Sequence, residues 1–85
     1  MAVLKNDPRL HELAELLRRR IAIIGDHALR ERDAEAHLNA LRTVSEDINR
    51  MHTAFCGTLP PRLEHFMSGC SYQKALAFIE DLLAQ

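Results

Sequence analysis

The chain has 85 residues and a formal net charge of −1, with 47% hydrophobic and 27% charged residues. This composition is typical of one folded domain spanning residues 1–85, and it excludes an intrinsically disordered chain. Both signs of charge are interspersed along the sequence, so no strong overall field attracts nucleic acid or an anionic membrane.

The first predicted element is a long helix over residues 8–32. Pro8 suits the first helical position, and the preceding Asp7 can accept hydrogen bonds from free backbone N–H groups as an N-cap. Apolar residues recur every three or four positions at Leu10, Leu13, Leu17, Ile21, Ile24 and Ala28, which indicates one buried helix face. The pair Gly25-Asp26 offers an alternative break, but the continuing apolar spacing favours an unbroken helix.

A second long helix is predicted over residues 34–56, with Asp33 as its N-cap. Its apolar face is formed by Leu41, Val44, Ile48, Met51 and Phe55. If the chain turns at Asp33, the two apolar faces match in antiparallel register, with Leu10 opposite Phe55 and Ile24 opposite Leu41. The sequence therefore predicts a long antiparallel helical hairpin.

Two shorter helices follow the hairpin in this prediction. Gly57 suits the end of the second helix, and Pro60-Pro61 indicates an extended connector before a third helix over residues 61–68. Ser71 is expected to cap a fourth helix over residues 72–84. The expected fold is an all-α bundle in which the third and fourth helices pack on the hairpin.

The cysteine pattern and the absence of a long apolar run indicate a cytoplasmic protein with reduced thiols. Cys56 and Cys70 fit neither a CxxC pair nor a four-ligand zinc pattern. The longest apolar run, Ile21–Ile24, is far too short to cross a bilayer, and residues 1–5 show no signal-peptide pattern.

The five histidines raise the possibility of a small metal- or ligand-binding bundle. In the predicted register His27 and His37 lie at similar levels near carboxylates, which makes them the candidate ligands. No HExxH motif and no Glu-x-x-His spacing occurs, so the pattern is unspecific. His37 also occupies a core position, where a hydrogen-bonded structural histidine is the simpler interpretation.

Two further functional classes find little support in the residues. Arg18-Arg19-Arg20 suggests a nucleic-acid accessory role, but three consecutive helical residues spread around about 200° and cannot face one groove. Cys56 and His52 share a helix face, yet a helix C-terminus disfavours a thiolate. No phosphate-binding loop or nucleophile elbow is present, so we expect no enzymatic activity and no cofactor.

A surplus of apolar surface is the most informative functional feature. Four residues lie off the faces that the hairpin buries, and they form the predicted interaction surface: Leu16, Ile23, Phe78 and Leu82. Small domains with surplus apolar faces commonly pair with themselves or with another chain. We therefore expect a non-enzymatic protein–protein interaction or regulatory module, either a homodimer or one bound to a helical partner.

Overall fold

The computed structural model describes residues 8–55 and 57–84. Within these ranges the chain forms five α-helices and no β-strand. The helices are α1 (Pro8–Ile24), α2 (His27–Arg32), α3 (Ala34–Phe55), α4 (Pro61–Ser68) and α5 (Tyr72–Ala84). The predicted all-α fold is therefore confirmed.

Helix α1 is the central element of the bundle. It packs against both α3 and α5, whereas α4 packs against α5 and α2 against α3. The contact between α1 and α3 supports the predicted hairpin. Fully buried leucines of α1 form one continuous core with residues of α3, α4 and α5 and with Leu59, which lies between α3 and α4. The core comprises Leu10, Leu13, Ala14, Leu17, Val44, Ile48, Phe55, Leu59, Leu63, Met67, Tyr72, Ala75 and Ile79.

The predicted unbroken helix over residues 8–32 is wrong, because the helix stops at Ile24 and α2 begins at His27. The cause is Asp26, whose non-helical backbone (φ −85°, ψ 77°) lets its carboxylate accept a hydrogen bond from the Leu29 N–H at 3.1 Å. This is an N-cap, which satisfies a backbone donor that a new helix would otherwise leave free. Gly25 still donates its N–H to the Ile21 carbonyl.

The break changes which residues are buried near the turn. Ile24 and Ala28 are exposed rather than part of the core, so the predicted packing of Ile24 against the second long helix is not found. The start of α3 agrees with prediction, since Asp33 accepts a hydrogen bond from the Ala36 N–H at 3.0 Å.

The two connectors that flank α4 differ in how the adjoining helices end and begin. Gly57 adopts φ +77°, a left-handed conformation that glycine reaches without strain and that terminates a helix. Ser71 was expected to cap α5 through its hydroxyl, but within the described residues only its backbone carbonyl bonds into the helix, accepting from Ala75. Asp7, the predicted cap of α1, lies outside the described residues.

Candidate functional site

The part of the hairpin that surrounds α2 has no core of its own. We call residues 21–43 the hairpin tip; they comprise the end of α1, all of α2 and the first half of α3. Every residue of the hairpin tip is half-buried or exposed, whereas both long helices contain fully buried residues outside it. Within the hairpin, the fully buried core is therefore confined to residues outside the hairpin tip, and Ile23 and Leu41 of the hairpin tip pack only against its edge.

Two large apolar side chains of the hairpin tip face solvent. Ile24 is 45% exposed and Leu38 is 54% exposed, whereas the other large hydrophobic residues in the described ranges are half-buried or buried. Ile21, Leu29 and Leu41 nearby are half-buried. Sequence reasoning missed Leu38, although its position three residues before Leu41 continues the apolar spacing of α3.

A hydrogen bond from His37 fixes the register of the hairpin tip. Its Nε2 lies 2.7 Å from the carbonyl oxygen of Ile23, so the imidazole donates to the last turn of α1. The same oxygen accepts from the Asp26 N–H at 3.1 Å. Because α1 and α3 run in opposite directions, Ile24 lies one residue nearer the turn than this hydrogen bond and Leu38 one residue farther from it.

The candidate metal ligands occupy different environments. His27 is exposed at the start of α2, while His37 is half-buried and uses Nε2 for the Ile23 carbonyl. Within residues 8–55 and 57–84, no three His, Cys, Asp or Glu side chains converge as a metal site requires. The geometry of His37 is that of a hydrogen-bonded structural histidine.

The predicted interaction residues are half-buried and lie on different helix pairs. Leu16 packs against the core and lines a shallow groove with Met51 between α1 and α3. Phe78 of α5 meets Phe66 of α4 edge to face, with ring centroids 6.4 Å apart. Ile23 and Leu82 also pack against the core.

The three consecutive arginines point to different neighbours. Arg18 bridges Glu15 at 3.3 Å and Glu80 of α5 at 3.2 Å. Arg20 stacks on the ring of Tyr72, with its guanidinium carbon 4.8 Å from the ring centroid, and Arg19 is exposed. Two of the three side chains thus join α1 to α5.

A polar contact joins α3 to α4. Nε2 of His52 lies 2.5 Å from a carboxylate oxygen of Glu64, which also accepts from the Ser68 hydroxyl at 3.0 Å. The hydrogen bond from His52 lowers the pKa of Glu64 below its ordinary value, and the Ser68 bond acts in the same direction against partial desolvation. His52 is therefore engaged by Glu64. Cys56, considered with His52 as a nucleophile, lies outside the described residues.

Comparison of the chain with protein-family models, with curated proteins and with solved structures finds no match. Among the described residues, no helix combines the length and apolar character needed to cross a membrane.

Proposed function

We propose that this chain is a non-enzymatic helical interaction module whose hairpin tip binds a second copy of the chain. The observation that carries the proposal is the absence of any buried residue in the hairpin tip, combined with the exposure of Ile24 and Leu38. Two stacked helices without a third layer leave apolar area in water, and covering it contributes about 25 cal/mol per Å².

A second copy suits this surface geometrically. A hairpin tip supplies two antiparallel helices, so two tips packed face to face form a four-helix bundle with short connections. Such pairing through identical surfaces gives a closed two-fold dimer. It also supplies additional buried surface to an 85-residue chain, near the size at which a single small core is marginal.

The charges of the hairpin tip are also compatible with self-association. Its exposed charged side chains are three arginines and four acidic residues: Arg30, Arg32, Arg42, Asp26, Glu31, Asp33 and Glu35. Because the two signs of charge nearly balance, two tips do not repel each other strongly. The arginines of α2 lie in its last turn, whereas Glu35 lies in the first turn of α3. A two-fold arrangement brings these opposite charges into reach across the interface.

Native mass spectrometry combined with sedimentation velocity tests the proposal. We expect a dimer for the unmodified chain and a monomer for Leu38→Glu, because a carboxylate at the interface must be desolvated without a partner. Thr53→Glu provides the matched control, since Thr53 is an exposed residue on the same helix outside the hairpin tip. That variant should remain dimeric.

A monomer at every concentration would overturn the proposal, as would a dimer that both variants retain. The same mass spectrum distinguishes the alternatives raised by the sequence. Retained metal that is lost in His27→Ala would favour a metal-binding bundle. Co-purified nucleic acid released by salt would favour a role for Arg18-Arg19-Arg20.

A further inference from the structure

A cleft lies between the last turn of α1 and the start of α5. Its volume is about 530 Å³, within the range of small-molecule sites. The residues that define its chemistry are Arg20, Ile21, Ile24, Ser71, Tyr72 and Lys74. The cleft is thus lined by two cationic side chains, two apolar ones and two hydroxyl groups.

Arg20 is held in place without an anionic partner. Its guanidinium stacks on the Tyr72 ring, and its Nε is shielded from solvent with no hydrogen-bond acceptor in the described part of the chain. No ion pair involves Arg20 among these residues, in contrast to Arg18. A partly desolvated, unpaired guanidinium is costly, so an anion in the cleft is favoured.

Lys74 adds a second positive charge to the same cleft. No Asp or Glu occurs among the described residues that line it, so nothing in the cleft neutralises the two cations. Burial of Tyr72 raises the pKa of its phenol, with a smaller contribution from Cys70, whose sulfur accepts from the Tyr72 hydroxyl at 3.7 Å. The phenol therefore stays neutral and does not repel an anion.

The α1 side of the cleft also carries apolar side chains next to Arg20. Ile21 and Ile24 project from the last turns of α1 and offer contact to a hydrocarbon group. We propose that the cleft binds a small organic anion, with its carboxylate or phosphate head at Arg20 and Lys74 and a short apolar body against Ile21 and Ile24. Ile21 and Ile24 also belong to the hairpin tip, so the ligand and a second copy of the chain would share this apolar surface.

Three probes distinguish the contribution of the anionic head group to binding from that of the apolar body. Hexanoate carries both groups, acetate only the head, and 1-hexanol only the apolar body. Each is titrated into the isotopically labelled protein while backbone amide shifts are recorded. We expect saturable shifts centred on residues 71–74 and on the end of α1 for hexanoate, and weaker binding for the two partial probes. Titrations with hexyl phosphate and with inorganic phosphate repeat the comparison for a phosphate head group.

Charge variants then assign the site. Lys74→Gln should weaken hexanoate binding by about five-fold, the upper end for one solvent-accessible charge pair, whereas Lys74→Arg should restore it. Arg19→Gln is the matched control, because Arg19 is exposed beside Arg20 and does not line the cleft. Hexanol binding as tightly as hexanoate, shifts centred elsewhere, or equal effects of the two Gln variants would overturn the proposal.

Discussion

At the scale of single residues, His37 is the side chain that joins the two arms of the hairpin near the turn. The end of α1 has carbonyl groups without helical partners, and the imidazole supplies a donor to one of them from α3. A side chain of another helix thus performs the C-capping that local residues usually provide. This role explains a histidine at a position of α3 where an apolar residue would continue the packed face.

Replacing His37 by leucine should lower the free energy of unfolding by about 1 kcal/mol, the net value of one hydrogen bond. The Ile23 carbonyl would keep only the Asp26 N–H as a donor. Urea denaturation followed by circular dichroism measures the change. His11→Leu is the control, because His11 is exposed on α1, and its effect should stay within about 0.5 kcal/mol. Equal losses in the two variants would contradict the capping role.

At the scale of elements, the short helix α4 is held to the hairpin by both apolar and polar contacts. Leu63 and Met67 are buried in the common core, while Glu64 binds His52 of α3 at the surface. Because this bond lowers the pKa of Glu64 in the folded chain, the carboxylate stays ionised there at pH values where it is protonated when unfolded.

The lowered pKa of Glu64 makes the stability of the folded chain depend on pH. The contribution of Glu64 to stability is complete above its unfolded pKa of about 4.3 and is lost as the pH falls through the lower folded value. Urea denaturation between about pH 6 and pH 3 should therefore show a steeper loss of stability for the unmodified chain than for Glu64→Gln. Glu46→Gln removes an exposed carboxylate of α3 and should retain the steep loss. Identical acid profiles for all three chains would disprove this assignment.

At the scale of the whole molecule, stability is distributed unevenly along an elongated shape of 44 × 24 × 21 Å. The fully buried side chains belong to the end of the hairpin that α4 and α5 cover, and the hairpin tip has none. Segments with few buried contacts open at lower free energy than the core does. The fold thus combines a bundle end that has a buried core with a hairpin tip that has none.

Hydrogen exchange tests this division. At low protein concentration, amides of α2 and of the first half of α3 should exchange faster than those of α1 between Leu10 and Leu17. If a second copy covers the tip, protection there should increase with protein concentration while the bundle end stays unchanged. Uniform protection along the hairpin at every concentration would contradict both expectations.

The helical class, most helix boundaries and much of the core can be predicted from the amino-acid sequence alone. Spacings of three and four between apolar residues identify a buried helix face regardless of what covers it. Asp33 was recognisable as a cap because an aspartate before a helical stretch accepts from backbone N–H groups. Asp26 also precedes a helical stretch and could be recognised as a cap in the same way. The apolar spacing continues past it, however, and predicts an unbroken helix, which is wrong.

How far the core extends, and which surface stays uncovered, depends on how the helices pack in three dimensions. Ile24 and Leu17 occupy equivalent positions in the apolar pattern of the first helix, yet Ile24 is exposed and Leu17 is fully buried. The difference arises because Leu17 lies within the core that α4 and α5 complete, whereas at Ile24 a cleft separates the end of α1 from the start of α5. The pairing of Arg20 with Tyr72 likewise joins residues 52 positions apart. A local pattern specifies which face of a helix is apolar, whereas burial depends on neighbours that are distant in the chain.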